Sequence, residues 1–168
     1  MKPFSLSVSY KEVMNLVHMQ TAYEAKNAPA DVSKDGSVIN DDKFRDISSC
    51  ESEEEILGQY WDTAVSELAV IMRRFDGSIS CSREAIEATF AMPDNWDEHL
   101  SGNVRTSVID AVVSIICAKW FELTLPAKYE VYVNQATAYE SQIVNGLCAR
   151  LRPTRANTLD NSQHIELA

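Results

Sequence analysis

Val104-Arg105-Thr106-Ser107-Val108-Ile109-Asp110-Ala111-Val112-Val113-Ser114-Ile115-Ile116-Cys117-Ala118-Lys119-Trp120-Phe121-Glu122-Leu123 sets the architecture. Val108, Ile109, Val112, Val113, Ile115, Ile116, Trp120 and Phe121 cover more than half the circumference of a helix over this run. A surface helix confines its apolar residues to one stripe, whereas a helix apolar nearly all round is touched on several sides. The run therefore predicts the central element of a helical bundle. Pro126 follows where the first helical turn tolerates proline, whose missing N–H has no intrahelical partner there. The next helix carries Tyr129, Tyr132, Val133, Ala136, Tyr139, Ile143, Leu147 and Leu151 along one stripe, and Pro153 ends it. Upstream, Asp94-Asn95-Trp96-Asp97-Glu98 reads as a helix start with Asp94 as the cap, and Ser101-Gly102-Asn103 as an interruption before the long run.

Two further helices precede these. Ser52-Glu53-Glu54-Glu55 has the capping-box pattern, and its acids lie at the positive end of the helix dipole. Ile56, Leu57, Tyr60, Trp61, Ala64, Val65, Leu68, Ile71, Met72 and Phe75 then form a wide stripe at helical period, closed by Arg73, Arg74 and Asp76-Gly77. Ser9-Tyr10-Lys11-Glu12 has the same capping pattern and opens a helix from Ser9 to Ala28 with an irregular apolar face. Before it, Phe4, Leu6 and Val8 alternate with serines, the period of a half-buried strand. Residues 78–92 change period again: Ile79, Cys81, Ile86, Ala88, Phe90 and Met92 point one way in a β-hairpin. Ile79, Ile86 and Phe90 are its candidate pairing positions. A lone hairpin is marginal in water, so it packs on helices, joins the N-terminal strand or pairs with another subunit.

Residues 29–50 are acidic and poor in apolar side chains, a long polar loop or a segment ordered only by a partner. The fold expected is mainly α: a bundle of three to four helices with a small β-hairpin and a polar C-terminal arm. Residues 1–152 form one domain, containing the loop 29–50 and the hairpin 78–92, and 153–168 form the arm.

With 168 residues and 45% hydrophobic content, one domain of this size buries roughly 70% of its unfolded surface. The net charge of −10 argues against a protein that grips nucleic acid. Most of that charge lies between Asp31 and Asp62, where ten acids meet three bases. No run of about 18 apolar residues predicts a membrane span, and the N-terminus lacks the apolar core of a secretion signal. Cys50, Cys81, Cys117 and Cys148 contain no C-x-x-C pair; Cys117 and Cys148 read as small buried apolar residues in a reducing cytosol.

Catalytic patterns are lacking. His18, His99 and His164 have no metal-ligand spacing, and no nucleophile-elbow, zincin, P-loop or dinucleotide motif occurs. Glu53, Glu54 and Glu55 cannot all face one site on a helix, so capping explains them better than a metal. The sequence thus predicts neither enzyme activity nor a cofactor; the acidic pair partner Glu98-His99 is the nearest thing to a catalytic residue set. Tyr10, Tyr23, Tyr60, Tyr129, Tyr132 and Tyr139 read as core packing rather than a stacking platform for single strands. Arg150, Arg152 and Arg155 form the basic cluster of the chain. Two accounts stay open: cations suited to a helix C-terminus, and a docking site, since Arg bonds carboxylates or phosphates in bidentate fashion, with a neighbouring copy as the complementary surface. In the second, Glu53, Glu54 and Glu55 with their acidic surroundings supply the complementary surface on that copy.

A strand leading into Phe90-Ala91-Met92-Pro93-Asp94-Asn95-Trp96 is followed by a long helix ending in Trp120-Phe121-Glu122-Leu123-Thr124-Leu125-Pro126. A tyrosine-studded helix then finishes as Leu147-Cys148-Ala149-Arg150-Leu151-Arg152-Pro153-Thr154-Arg155. This pattern, covering somewhat under half the chain, resembles the head-to-tail connector proteins of tailed bacteriophages, especially gut phages. The resemblance implies a homo-oligomeric ring of about twelve copies. Such a ring sits below the portal in the virion neck, is assembled in the host cytoplasm, and contacts the portal and neighbouring neck and tail proteins. DNA passes through without specific binding, and an acidic lumen would repel phosphate. The loop 29–50 is not part of the family pattern. The alternative expectation, from another class, is an acidic cytosolic helical-bundle adaptor or regulator binding a protein partner.

Overall fold

A computed structural model describes residues 1–28, 46–75 and 77–151. Their order is β1 (Lys2–Ser9), α1 (Tyr10–Asn27), α2 (Glu54–Met72), β2 (Gly77–Cys81), β3 (Ala85–Met92), α3 (Ser101–Thr124) and α4 (Pro126–Cys148), with 3-10 turns at Glu51–Glu53 and Glu98–Leu100. Four long helices and a three-stranded antiparallel sheet make the described residues mainly helical, as the sequence predicted. Arg152, Arg155, His164 and the C-terminal arm lie outside the described residues, as does 29–45 of the polar loop.

α3 is the centre. Val104, Val108, Val112, Ile115, Ile116, Trp120 and Phe121 are buried around its circumference. β1, α1, α2 and α4 all pack against it. Leu125 alone separates α3 from α4, so α4 folds straight back along α3. The two close tightly at the far end: a Cβ on Gly146 would stand 2.5 Å from Val104 Cγ2, and Val104 is itself buried. On α4 the predicted stripe narrows to Tyr132, Ala136, Ile143 and Leu147, while Tyr129, Val133 and Leu151 are exposed. Ser101 opens α3 instead of interrupting it, and the capping acid of the preceding turn is Asp97, which accepts from His99 N at 3.2 Å. Asp94 lies 2.7 Å from the amino group of Met1.

The sheet has the order β1-β3-β2, so the hairpin completes itself with the N-terminal strand. Phe4, Leu6 and Val8 face the helices together with Ile86, Ala88, Phe90 and Met92, in the register Val8↔Ile86 and Phe4↔Phe90. β2 contributes less than its alternation suggested: Ile79 is half-buried and Cys81 exposed, because β2 lies at the sheet edge. Gly77 is required where β2 begins, since a Cβ there would come within 2.7 Å of both Thr89 O and Phe90 Cδ1.

Both capping boxes differ from expectation. Ser9 makes no side-chain cap bond, and Glu12 instead pairs with Arg105 of α3 at 2.8 Å. Ahead of α2 no side chain caps the helix itself; Cys50 N donates to Glu53 Oε2 at 2.9 Å and Glu53 N to Cys50 O at 3.0 Å, closing the 3-10 turn that leads into it. α2 buries Leu57, Trp61, Ala64, Val65, Leu68, Ala69 and Met72, leaving Ile56 exposed. The end of the polar loop is anchored. Ile47 is 1% exposed, its carbonyl accepts from Trp120 Nε1 at 2.6 Å, and Ser49 is buried against Thr21.

Candidate functional site

The two edges of the sheet are chemically unlike. Tyr10 N donates to Glu84 O at 2.8 Å, which continues the β1–β3 register and fixes which residues bond across it. In an antiparallel ladder successive residues turn their main-chain groups to opposite sides. Pro3, Ser5, Ser7 and Ser9 therefore present theirs to the outer edge of β1. That edge is guarded. Pro3 has no N–H to offer, and Arg105 Nε donates to Ser7 O at 3.1 Å while its Nη2 holds Glu12. On the other side, Ser82 N donates to Ala85 O at 3.0 Å, which sets the β2–β3 alternation. Gly77, Ile79 and Cys81 thus turn their N–H and C=O groups outward. Among the described residues these groups meet no hydrogen-bond partner, and β2 carries no proline or charge.

Of the sequence-predicted pairing residues, Ile86 and Phe90 are fully buried on the central strand β3, paired on both sides within the chain. Ile79, opposite Ala88, is the one that stands at an open edge.

A groove of about 510 Å³ runs between the start of α1 and α2, lined by Tyr10, Glu54, Glu55, Gln59, Trp61 and Arg83. A second, of about 350 Å³, continues from Tyr10 and Glu54 along Lys11, Asn15 and His18. Tyr10 divides them, its ring set edge-on to Trp61 with centroids 5.2 Å apart. Burial, reinforced by the Glu54 carboxylate, pushes the Tyr10 phenol above its ordinary range. Glu54 and Glu55 therefore do share one surface, whereas Glu53 is spent on the helix start.

Arg150 lies elsewhere. Its Nη1 donates to Leu147 O at 3.0 Å and Ala149 O at 2.9 Å, so it satisfies carbonyls left free by the end of α4. Its main chain bridges to Trp96, whose ring packs on Phe4 at 4.9 Å. From Phe4 to Tyr10 the chain runs six strand residues, roughly 20 Å. The Glu54–Glu55 groove and Arg150 are thus near opposite ends of β1.

Two buried polar clusters escaped the sequence reading. Glu24 is 7% exposed, accepts from Tyr132 Oη at 3.0 Å and pairs with Lys128 at 2.9 Å, tying α1 to α4. Burial holds the Tyr132 phenol and the Cys117 thiol well above their ordinary ranges. His18 Nδ1 lies 2.8 Å from Ser49 Oγ, which also meets Thr21 Oγ1. No signal short of the fold joins residues 18, 21 and 49. Cys148 is exposed, against expectation, because it lies about 100° round α4 from buried Leu147. Glu98 is exposed and faces Lys2 at 3.3 Å rather than His99. Among the described residues no group of three His, Cys, Asp or Glu side chains could hold a metal ion, and no helix is long and apolar enough to cross a membrane.

Comparison of the chain with known protein families, curated proteins and solved structures gives no match.

Proposed function

We propose that the chain is a structural virion protein of a tailed phage, one copy in an oligomeric head-to-tail connector ring below the portal that extends the DNA channel. The observation that carries this reading is the inequality of the two sheet edges: one guarded by Pro3 and Arg105, the other, among the described residues, open along β2. Rings are built from head-to-tail contacts in which one surface of each copy meets a different surface of the next. A chain that blocks one edge and leaves the other unblocked is equipped for such a contact. The resemblance of residues 86–155 to connector proteins supplies the context. Glu54 and Glu55 lie near one end of β1 and Arg150 near the other, so the two sets of residues are placed for different contacts.

In this role the helical body is a spacer and the edges form the contacts. The net charge of −10 favours a lumen that DNA traverses without sticking, since each phosphate neutralised by Lys or Arg would add affinity. Neck and tail proteins are then its neighbours, and the neck of the virion is its location.

Mass photometry of the purified chain, alone and with a portal ring, tests the proposal. The expected species is a closed oligomer near twelve times 18.8 kDa, or its formation on the portal. A monomer that ignores the portal at every concentration refutes it. That outcome would favour the adaptor reading, for which the groove between α1 and α2 offers the docking surface.

A further inference from the structure

We propose that the open edge of β2 seats the C-terminal arm, residues 152–168, of the neighbouring copy, which adds a fourth strand to the sheet. The inference rests on the ring reading and specifies its contact. Gly77, Ile79 and Cys81 offer three N–H and three C=O groups to an incoming strand, the main-chain recognition of strand addition. An extended occupant fits this edge without bringing a second helix beside α2. α2 lies beneath β2, with Trp61 Nε1 donating to Ser82 O at 3.1 Å and Asp62 3.9 Å from Arg83. Two β2 edges pairing about a two-fold axis would bring both α2 helices to the same side of the joined sheet. An extended arm brings nothing beneath it.

The arm also starts in the right place. Leu151 N donates to Asn95 O at 2.7 Å, so the chain leaves the body beside Trp96, which lies just beyond the end of β3 and packs on Phe4 of β1. Residues 152–168 reach up to about 56 Å when extended, and a five-residue strand needs about 17 Å of that. Ile165 and Leu167 alternate with His164, Glu166 and Ala168. Placed on the inner face, the two apolar side chains would complete the burial of Ile79 and Phe75, both half-exposed at this edge. Asp160 and Glu166 match the exposed Arg73 and Arg74 that flank β2.

Crosslinking between copies tests the seat. In a background carrying Cys50→Ser and Cys148→Ser, one chain carries Cys81→Ser with either Ile165→Cys or Leu167→Cys, and a second keeps Cys81 with an unaltered arm. The two are mixed, assembled and mildly oxidised, and linked peptides are identified by mass spectrometry. The expected product is a covalent pair joined from the arm of one chain to Cys81 of the other. A chain ending at Leu151, and the full chain with Ile79→Pro, should assemble at least tenfold more weakly while keeping their helical circular dichroism. Ile79 bonds outward, so its proline leaves the β2–β3 ladder intact. Rings that form with no arm-to-β2 link and tolerate both variants would overturn this contact and leave the ring standing. A single chain that keeps Cys81 beside Ile165→Cys or Leu167→Cys and links only within itself also overturns it. Failure of the unaltered chain to oligomerise, with or without portal, overturns the contact and the ring together.

Discussion

Replacing Ile47 by alanine should destabilise the protein far more than its setting among acidic residues suggests. The side chain is 1% exposed within the core, and the substitution removes three buried carbons. At about 0.8 kcal/mol per buried CH₂ the transfer loss is roughly 2.4 kcal/mol, and the residual cavity brings the total to about 2–5 kcal/mol. For a domain of this size that corresponds to a fall in Tm of about 2–4 °C per kcal/mol. Urea unfolding followed by tryptophan fluorescence and by circular dichroism measures it, and Trp120 reports locally through its 2.6 Å bond to the Ile47 carbonyl. Trp120→Phe deletes that donor and should cost about 1–3 kcal/mol, since it leaves a buried carbonyl unpaired. The two changes touch one contact, so the double variant should lose less than their sum. A loss below about 1 kcal/mol for Ile47→Ala, with strictly additive effects, would refute the anchoring of residues 46–50 in the core.

Gly146→Ala should cost about 1–3 kcal/mol, because the new methyl meets buried Val104, whereas Gly58→Ala in open space on α2 should stabilise by up to about 1 kcal/mol; thermal melts of the pair decide. Burial raises the Asp110 carboxyl above its ordinary range, so its charged form weakens the native state and stability is recovered as pH falls through that raised value. Asp110→Asn should therefore raise the urea midpoint at neutral pH, and the advantage should vanish below about pH 4, where the wild-type carboxyl is protonated in both states. Arg150→Ala should cost about 0.5–1.5 kcal/mol through the freed carbonyls of Leu147 and Ala149. Adding Arg152→Ala and Arg155→Ala should change assembly with little further loss of stability, and the defect should depend on salt; unchanged assembly would confine Arg150 to the helix end.

What the sequence disclosed follows from how local each signal is. The all-round apolarity of α3 and the period-two alternation of β1 and β3 are properties of a single segment, and both were legible. The capping boxes were only half legible. Glu12 has a strong competing partner in Arg105, 93 residues away, and Glu53 accepts from Cys50 N in the turn before α2 where the pattern pointed to Ser52. Ile47 was hidden because one apolar residue has no period, and its role comes from Trp120 on another helix. The grooves beside Tyr10 and the outward main-chain groups of Ile79 were illegible for the same reason: they depend on which elements lie side by side. Glu54 and Glu55 were named from charge alone, and it took the placement of Arg83 and Tyr10 to give them a common surface.

The guard on β1 has a consequence in time. Phe4 is synthesised 86 residues before its partner Phe90, and at 5–20 residues per second that delay is about 4–17 s. Arg105, which blocks Ser7 O, comes later still. Throughout that interval the nascent chain carries an alternating strand with neither its partner nor its arginine in place. The proline at position 3 is the protection against misplaced pairing that β1 carries from the moment it is made.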